Sequence, residues 1–375
     1  GVILALATGL AATACSSDVK IGAVISESGA VEAYGKRVRK GMELAAEEIN
    51  AGGGLASGGQ LLLVFRDDAT NPERGKQVTQ ELIDQEGIDL IVGAVSSRVT
   101  LAIAPICEKE RVLLISPSSS SPDISQAGEY IYRNYPSDIR EGTSMAKFAK
   151  DLALEQVAIV AMDDEFGRGL REVFTQQYEG RSRQVIGSFE FDGGAAEFDA
   201  IVTQVTALAP DGIYLVGYEN EVSQLLTELR AAEVAAVIMT SSAVTPNLVQ
   251  LAGAATDNVV FPQTTFDLDS DAPSVAAFVT AYRQKYDEDP DPYAAHGYDA
   301  VKVLAEAINS VEGSHPDDVR IGLNGIQDYD GAAGKTTFDK NGDVVRHPRI
   351  MIFRNGAAMP YDEFVEEGGS ILPQG

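Results

Sequence analysis

Apolar and polar positions along this chain follow two alternating periods. Short runs rich in Val, Ile, Leu and Phe fall at 19–25, 61–65, 89–92 and 112–115, and again at 157–161, 185–189, 212–216 and 237–239. Each reads as a strand buried on both faces. Helical spacing separates them. Within 36–50, Val38, Met42, Ala45 and Ile49 recur on one face, and 72–86 opens on Asn71-Pro72, a cap followed by proline at the first helical position. Further helices are expected near 100–110, 166–178, 197–208 and 221–232. This succession predicts an α/β fold, and the restart of the series at 157 predicts two doubly wound parallel-sheet lobes. Helices at 273–286, 294–310 and 316–323, then a strand at 349–353, do not extend the second series. They predict a return to the first lobe and a final crossing, hence a three-crossing hinge near 135–138, 261–266 and 337–339. The implied lobes are 18–136 plus 265–337 (N-terminal) and 137–264 plus 338–375 (C-terminal).

Residues 1–14 are uncharged and mostly apolar, too short a run for a comfortable membrane span. Ala12-Thr13-Ala14-Cys15 resembles a bacterial lipobox, with Ala where the motif usually has Leu. That reading makes 1–17 a signal peptide and tether, with Cys15 the lipidated residue. The alternatives are an ordinary export signal with a chance Cys, or a buried apolar helix. An exported chain works in the periplasm or at the cell surface. No later segment is apolar enough to span a membrane.

Composition narrows the function. With 29 basic against 56 acidic residues the net charge is −27, which repels nucleic acid and anionic headgroups. Apart from Cys15 the only cysteine is Cys107, so an internal disulfide is impossible and the fold must hold by packing.

Several fragments imitate catalytic signatures and fail on their partners. Gly331-Ala332-Ala333-Gly334-Lys335-Thr336 ends like a phosphate-binding loop, but position 329, where the first Gly belongs, is Tyr. Ser144-Met145-Ala146-Lys147 has no Ser-Asp-Asn after it. Asp267, Asp269 and Asp271 open like a calcium loop, yet Ala272 replaces the turn Gly and Phe278 the final Glu. His296, His315 and His347 lack metal-ligand spacing. The expectation is therefore no enzyme, no metal and no cofactor.

Polar clusters at strand ends remain. Ser96 and Ser97 follow the third strand, Ser116 to Ser121 the fourth, Tyr218 and Glu219 the strand at 212–216, and Thr240, Ser241 and Ser242 the strand at 237–239. Hydroxyls and free N–H groups at such places suit a carboxylate. The segments 20–35, 41–54, 67–72, 115–122, 163–170 and 338–343 together resemble the type I periplasmic binding proteins, specifically the branched-chain amino acid binding branch of ABC importers. The resemblance covers 19–355 and implies a monomeric solute-binding lipoprotein that meets ABC permease subunits and takes an amino acid or small carboxylate. It implies a carboxylate clamp at Ser97, Ser118, Ser119 and Ser120, first-lobe walls at Tyr34 and Tyr293, a second-lobe lid at Phe166 and Tyr218, and an acid, Asp138, at the first crossing. The family's disulfide positions are Thr70 and Ser96.

One departure bears on the ligand. Where the family holds a Glu for the ligand's ammonium, this chain has Ser242. Either the ligand lacks an amine, or its ammonium pairs with Glu219 or Asp138. Lys36, Arg37, Arg39 and Lys40 also stand in the first turns of a helix, against its dipole. They are either compensated by neighbouring acids or form a basic lip for an anion. A sensing module on the same fold and an exported hydrolase are the rival functions.

Overall fold

A computed structural model describes residues 18–264 and 266–372; the expected export segment and Cys15 lie outside the described residues. The first sheet is wholly parallel, in the order β2-β1-β3-β4-β5. It comprises β1 (Val19–Ile25), β2 (Leu61–Asp67), β3 (Leu90–Gly93), β4 (Leu113–Ser116) and β5 (Ile131–Arg133), connected in part by α1 (Glu32–Ala51), α2 (Pro72–Glu86) and α3 (Ser97–Glu110). After β5 the chain passes into α4 (Asp138–Asp151) and a second sheet. There β6 (Gln156–Met162), α5 (Glu165–Tyr178), β7 (Gln184–Phe191), α6 (Asp199–Leu208), β8 (Gly212–Val216), α7 (Glu219–Ala231), β9 (Val237–Thr240), α8 (Leu248–Ala252) and β10 (Val260–Gln263) follow. The chain then returns through α9 (Pro273–Tyr286), α10 (Pro292–Val311), α11 (Pro316–Gly325) and the small hairpin β11 (Tyr329–Gly331) and β12 (Gly334–Thr336). It ends with β13 (Arg349–Arg354), β14 (Ala357–Pro360) and α12 (Tyr361–Glu366). The second sheet runs β14-β13-β10-β9-β8-β6-β7, with β13 and β14 antiparallel.

Local chemistry sets the helix starts. Asn71 accepts from the Arg74 amide ahead of Pro72, Asp164 from Gly167, and Asp291 from Ala294 ahead of Pro292. The predicted apolar face of α1 is buried: Val38, Met42 and Ala45 pack with β1 and with Val301 and Leu304 of α10. This contact is close enough to require glycine. A Cβ on Gly41 would stand 1.9 Å from the Ala294 carbonyl oxygen, and one on Gly297 would stand 2.4 Å from that of Val38. Helices α2 and α3 cover the other face of the first sheet; α4, α5 and α12 cover one face of the second, and α6, α7 and α8 its reverse.

The third crossing comes later than 337–339. Phe338 packs in the first lobe's core, residue 343 bridges to Arg133 of β5, and Arg346 binds the Gly334 and Lys335 carbonyls. His347 then meets α4 through Arg140. The segment 338–346, expected in the C-terminal lobe, therefore lies on the N-terminal one. An extended stretch carries no periodicity that would reveal which sheet edge it follows.

Candidate functional site

The strand ends of both lobes face each other across a closed cleft, the place where open α/β sheets bind ligands. Between them lies a narrow cavity lined by Tyr34, Ser97, Ser118, Ser120, Phe166, Tyr218, Ser242 and Tyr293, together with Val31, Val95, Tyr135 and Ala243. The first eight are expected site residues. The other four went unassigned because nothing in a Val, an Ala or a hinge Tyr marks it as lining a cavity.

On the first lobe β3 ends at Gly93, whose φ is +153° and where a Cβ would stand 2.4 Å from the Val24 carbonyl oxygen, so no side chain fits. The chain then enters α3, so the N-terminal amides of that helix begin beside the cavity-lining Ser97. The Ser97 hydroxyl accepts from the amides of Ser120 (3.2 Å) and Ser121 (3.1 Å). With both acceptor positions engaged, its single proton is left to donate. Ser118 donates to the Val95 carbonyl at 2.9 Å. Ser119 does not line the cavity: its hydroxyl lies 2.7 Å from that of Thr100 and reaches the Ala94 carbonyl at 3.2 Å. Beneath the serines Arg133, fully buried, donates to the Ser120 and Ser121 carbonyls, to Ser125, and through Nε to Asp343 at 2.6 Å. One guanidinium therefore fixes the loop's shape.

Aromatic rings from both lobes line the rest of the cavity. Tyr34 meets Tyr293 at 4.7 Å and Tyr218 at 5.4 Å between centroids, while Phe166 stacks on Tyr218 at 5.7 Å. Burial pushes the phenols of Tyr34, Tyr218 and Tyr293 well up, so all three stay neutral. The lobes also touch through polar groups. The Tyr34 hydroxyl donates to the Ala243 carbonyl (3.0 Å) and accepts from the Glu219 amide (2.8 Å); Tyr135 donates to the Ser242 hydroxyl at 3.3 Å.

Two expected ligand-binding acids do not line the cavity. Glu219 is consumed within its own lobe, where its carboxylate takes the Thr245 amide at 2.9 Å, the Thr245 hydroxyl and the Asn247 side chain at 3.2 Å. It also stands 3.6 Å from Arg37 across the cleft. An acid at a helix start serves here to hold the 242–247 loop. Asp138 is fully buried behind Ser120, whose carbonyl accepts its amide at 2.9 Å. The four basic residues of α1 are all paired: Lys36 with Glu32, Arg37 with Asp291 and Glu219, Arg39 with Glu27 and Glu43, and Lys40 with Glu288. Compensation, rather than a bare basic lip, accounts for them.

Comparison with known proteins agrees with this geometry. A family profile described as periplasmic binding protein matches residues 18–357. The leucine-specific-binding protein of Salmonella typhimurium is 30% identical over 91% of this chain and 92% of its own. A Pseudomonas aeruginosa protein that binds leucine, isoleucine, valine, threonine and alanine is 27% identical, over 90% of each. A leucine-binding protein from Thermotoga maritima superposes with a TM-score of 0.85 at 27% identity, over 91% of this chain and 97% of that one. A Streptococcus pneumoniae branched-chain amino acid transporter binding protein, solved with isoleucine, gives 0.82 at 27% identity over the same shares.

Proposed function

This chain belongs to the type I periplasmic binding proteins, in the branch that holds the branched-chain amino acid binding proteins of ABC transporters, and from that premise we propose that it captures an amino acid or related small carboxylate by closing its two lobes. The family works outside the cytoplasm, and among the described residues no helix is long and apolar enough to cross a membrane. A lipid on Cys15 would tether the protein, and the closed form is what permease subunits would read.

The observation that carries the reading is the Ser97 hydroxyl, whose proton is the one hydrogen-bonding position its two amide partners leave free. With Ser118, Ser120 and the N-terminal amides of α3 it makes a site for a carboxylate. Micromolar binding requires about 8 kcal/mol. Three hydrogen bonds to a charged group, at roughly 1.5–3 kcal/mol each, with burial against Tyr34, Phe166 and Tyr218, supply that after ordering costs. Closure shuts water out and strengthens each contact. No bond is made or broken.

The test is calorimetric titration with L-leucine and with its amine-free analogue 4-methyl-2-oxopentanoate, alongside mass spectrometry of whatever co-purifies. Binding of a small carboxylate that Ser97→Ala weakens supports the reading. A wild-type protein that takes up neither probe and carries no carboxylate ligand refutes it.

A further inference from the structure

Two buried acids behind the cavity have no role in the account so far. Asp138 begins α4 and Glu141 follows at i+3, so their side chains share one face of the helix. They are 0% and 4% exposed. Neither oxygen of the Asp138 carboxyl has a hydrogen-bond partner, an arrangement that water-free surroundings penalise. Glu141 Oε1 accepts from the Ser242 amide at 3.0 Å and from the Tyr214 hydroxyl at 3.4 Å.

The pair therefore stands immediately behind the cavity wall, hydrogen-bonded to residues on both sides of the cleft. Asp138 is joined to Ser120 of the first lobe, and Glu141 to Ser242 of the second. The charged and titratable groups around it are Arg133 from β5, Tyr135 from the crossing, Asp164 capping α5, Tyr214 from β8 and Tyr218 ahead of α7. Arg133 is already committed to Asp343, Ser125 and two carbonyls. Among the described residues neither acid of the pair has an ion-pair partner.

We propose that the Asp138–Glu141 pair is the counter-charge for a ligand ammonium, replacing the acid that Ser242 displaces from the cleft loop. The inference rests on the carboxylate-binding reading above. A zwitterionic α-amino acid would set its carboxylate on Ser97 and Ser120, and its ammonium towards the unsatisfied oxygens of Asp138. Two carboxyls this close do not both ionise freely, so the pair holds a proton that passes to solvent when the ammonium arrives. Burial raises Glu141 to about 7, against the donors that hold it. Burial and then Glu141 raise Asp138 well above the carboxylate range, with Arg133 and the nearby Ser120 hydroxyl opposing. Ammonium binding is therefore favoured as pH rises through neutrality.

The experiment titrates the full chain, Asp138→Asn and Glu141→Gln with L-leucine and 4-methyl-2-oxopentanoate at about pH 8 and about pH 5.5. The expected result is leucine binding weaker by about tenfold or more at the lower pH, and weaker by a similar factor in Asp138→Asn at the higher. The oxo acid keeps its affinity in both comparisons, and Glu141→Gln flattens the leucine pH profile. Circular dichroism of both variants identifies any that fail to fold; either one alone suffices. Leucine binding that ignores both pH and the folded variants overturns the inference, as does an oxo acid that binds better than leucine at about pH 8; in both cases the carboxylate site stands. Binding of neither probe by a wild-type protein that also carries no co-purified carboxylate overturns the carboxylate reading itself.

Discussion

Removing one oxygen atom from the cleft tests whether closure and binding are the same event. The Tyr34 hydroxyl donates to the Ala243 carbonyl at 3.0 Å and accepts from the Glu219 amide at 2.8 Å, and both partners belong to the other lobe. Neither bond exists once the lobes part. In Tyr34→Phe the closed form keeps a buried Glu219 N–H with no acceptor, and the Ala243 carbonyl retains only a long contact to Tyr293 at 3.5 Å. A buried donor left unsatisfied costs about 1–3 kcal/mol. In the open form water satisfies both groups, so the penalty falls on closure alone. Because apparent affinity scales with the population of the binding-competent state, about 2 kcal/mol becomes roughly a 30-fold loss. The Tyr34 hydroxyl is fully engaged across the cleft, so the loss is to be equal for leucine and for its oxo analogue, and to sit in the dissociation rate. Stopped-flow release gives the rate, and urea unfolding of the ligand-free protein is to show a change below about 1 kcal/mol. An affinity within threefold of wild type, or a loss confined to one of the two ligands, would refute the reasoning.

Ser97→Ala removes a charged hydrogen bond to the ligand and deprives two buried amides of their acceptor; binding by calorimetry is to weaken about tenfold to a hundredfold. Ligand-free stability is to fall as pH rises from about 5.5 to about 8, because Glu141, raised to about 7 by burial, binds its proton more tightly folded than unfolded. Thermal melts across that range check the sign, and Glu141→Gln is to make the slope shallower without abolishing it, because burial also raises Asp68 and Asp299 to about 6. Gly41→Ala drives a methyl group to 1.9 Å from the Ala294 carbonyl oxygen between α1 and α10. Urea denaturation is to show a loss of at least about 2 kcal/mol.

The elements of both lobes were legible where periodicity was strong. β1 and β8 occupy the predicted ranges and α1 buries its predicted face, because runs such as Val19–Ile25 and the Val38–Met42–Ala45 stripe hold their period for long enough to register. The elements beside the crossings were not legible. β5 has three residues and β10 four, and α4 carries buried acids on its first turn, which blurs its apolar stripe. Site residues followed the same division. Ser97, Ser118 and Ser120 stood out because hydroxyls at strand ends are a local signal. Tyr135, Val31, Val95 and Ala243 reach the cavity through the meeting of distant segments. Glu219 was assigned to the ligand because an acid at a strand end resembles a ligand group; its engagement by Thr245 and Asn247 depends on a loop folding back onto it.

Cys107 is completely buried, and its surroundings push the thiol up to about 12. It therefore stays protonated and inert to alkylating reagents under ordinary conditions. In a chain from which Cys15 has been trimmed, cysteines introduced at the exposed Glu73 on one lobe and Glu179 on the other would be the only thiols to take up a dye. The distance between two such labels would report the opening angle molecule by molecule, so the balance of open and shut forms becomes countable without disturbing a residue of the cleft.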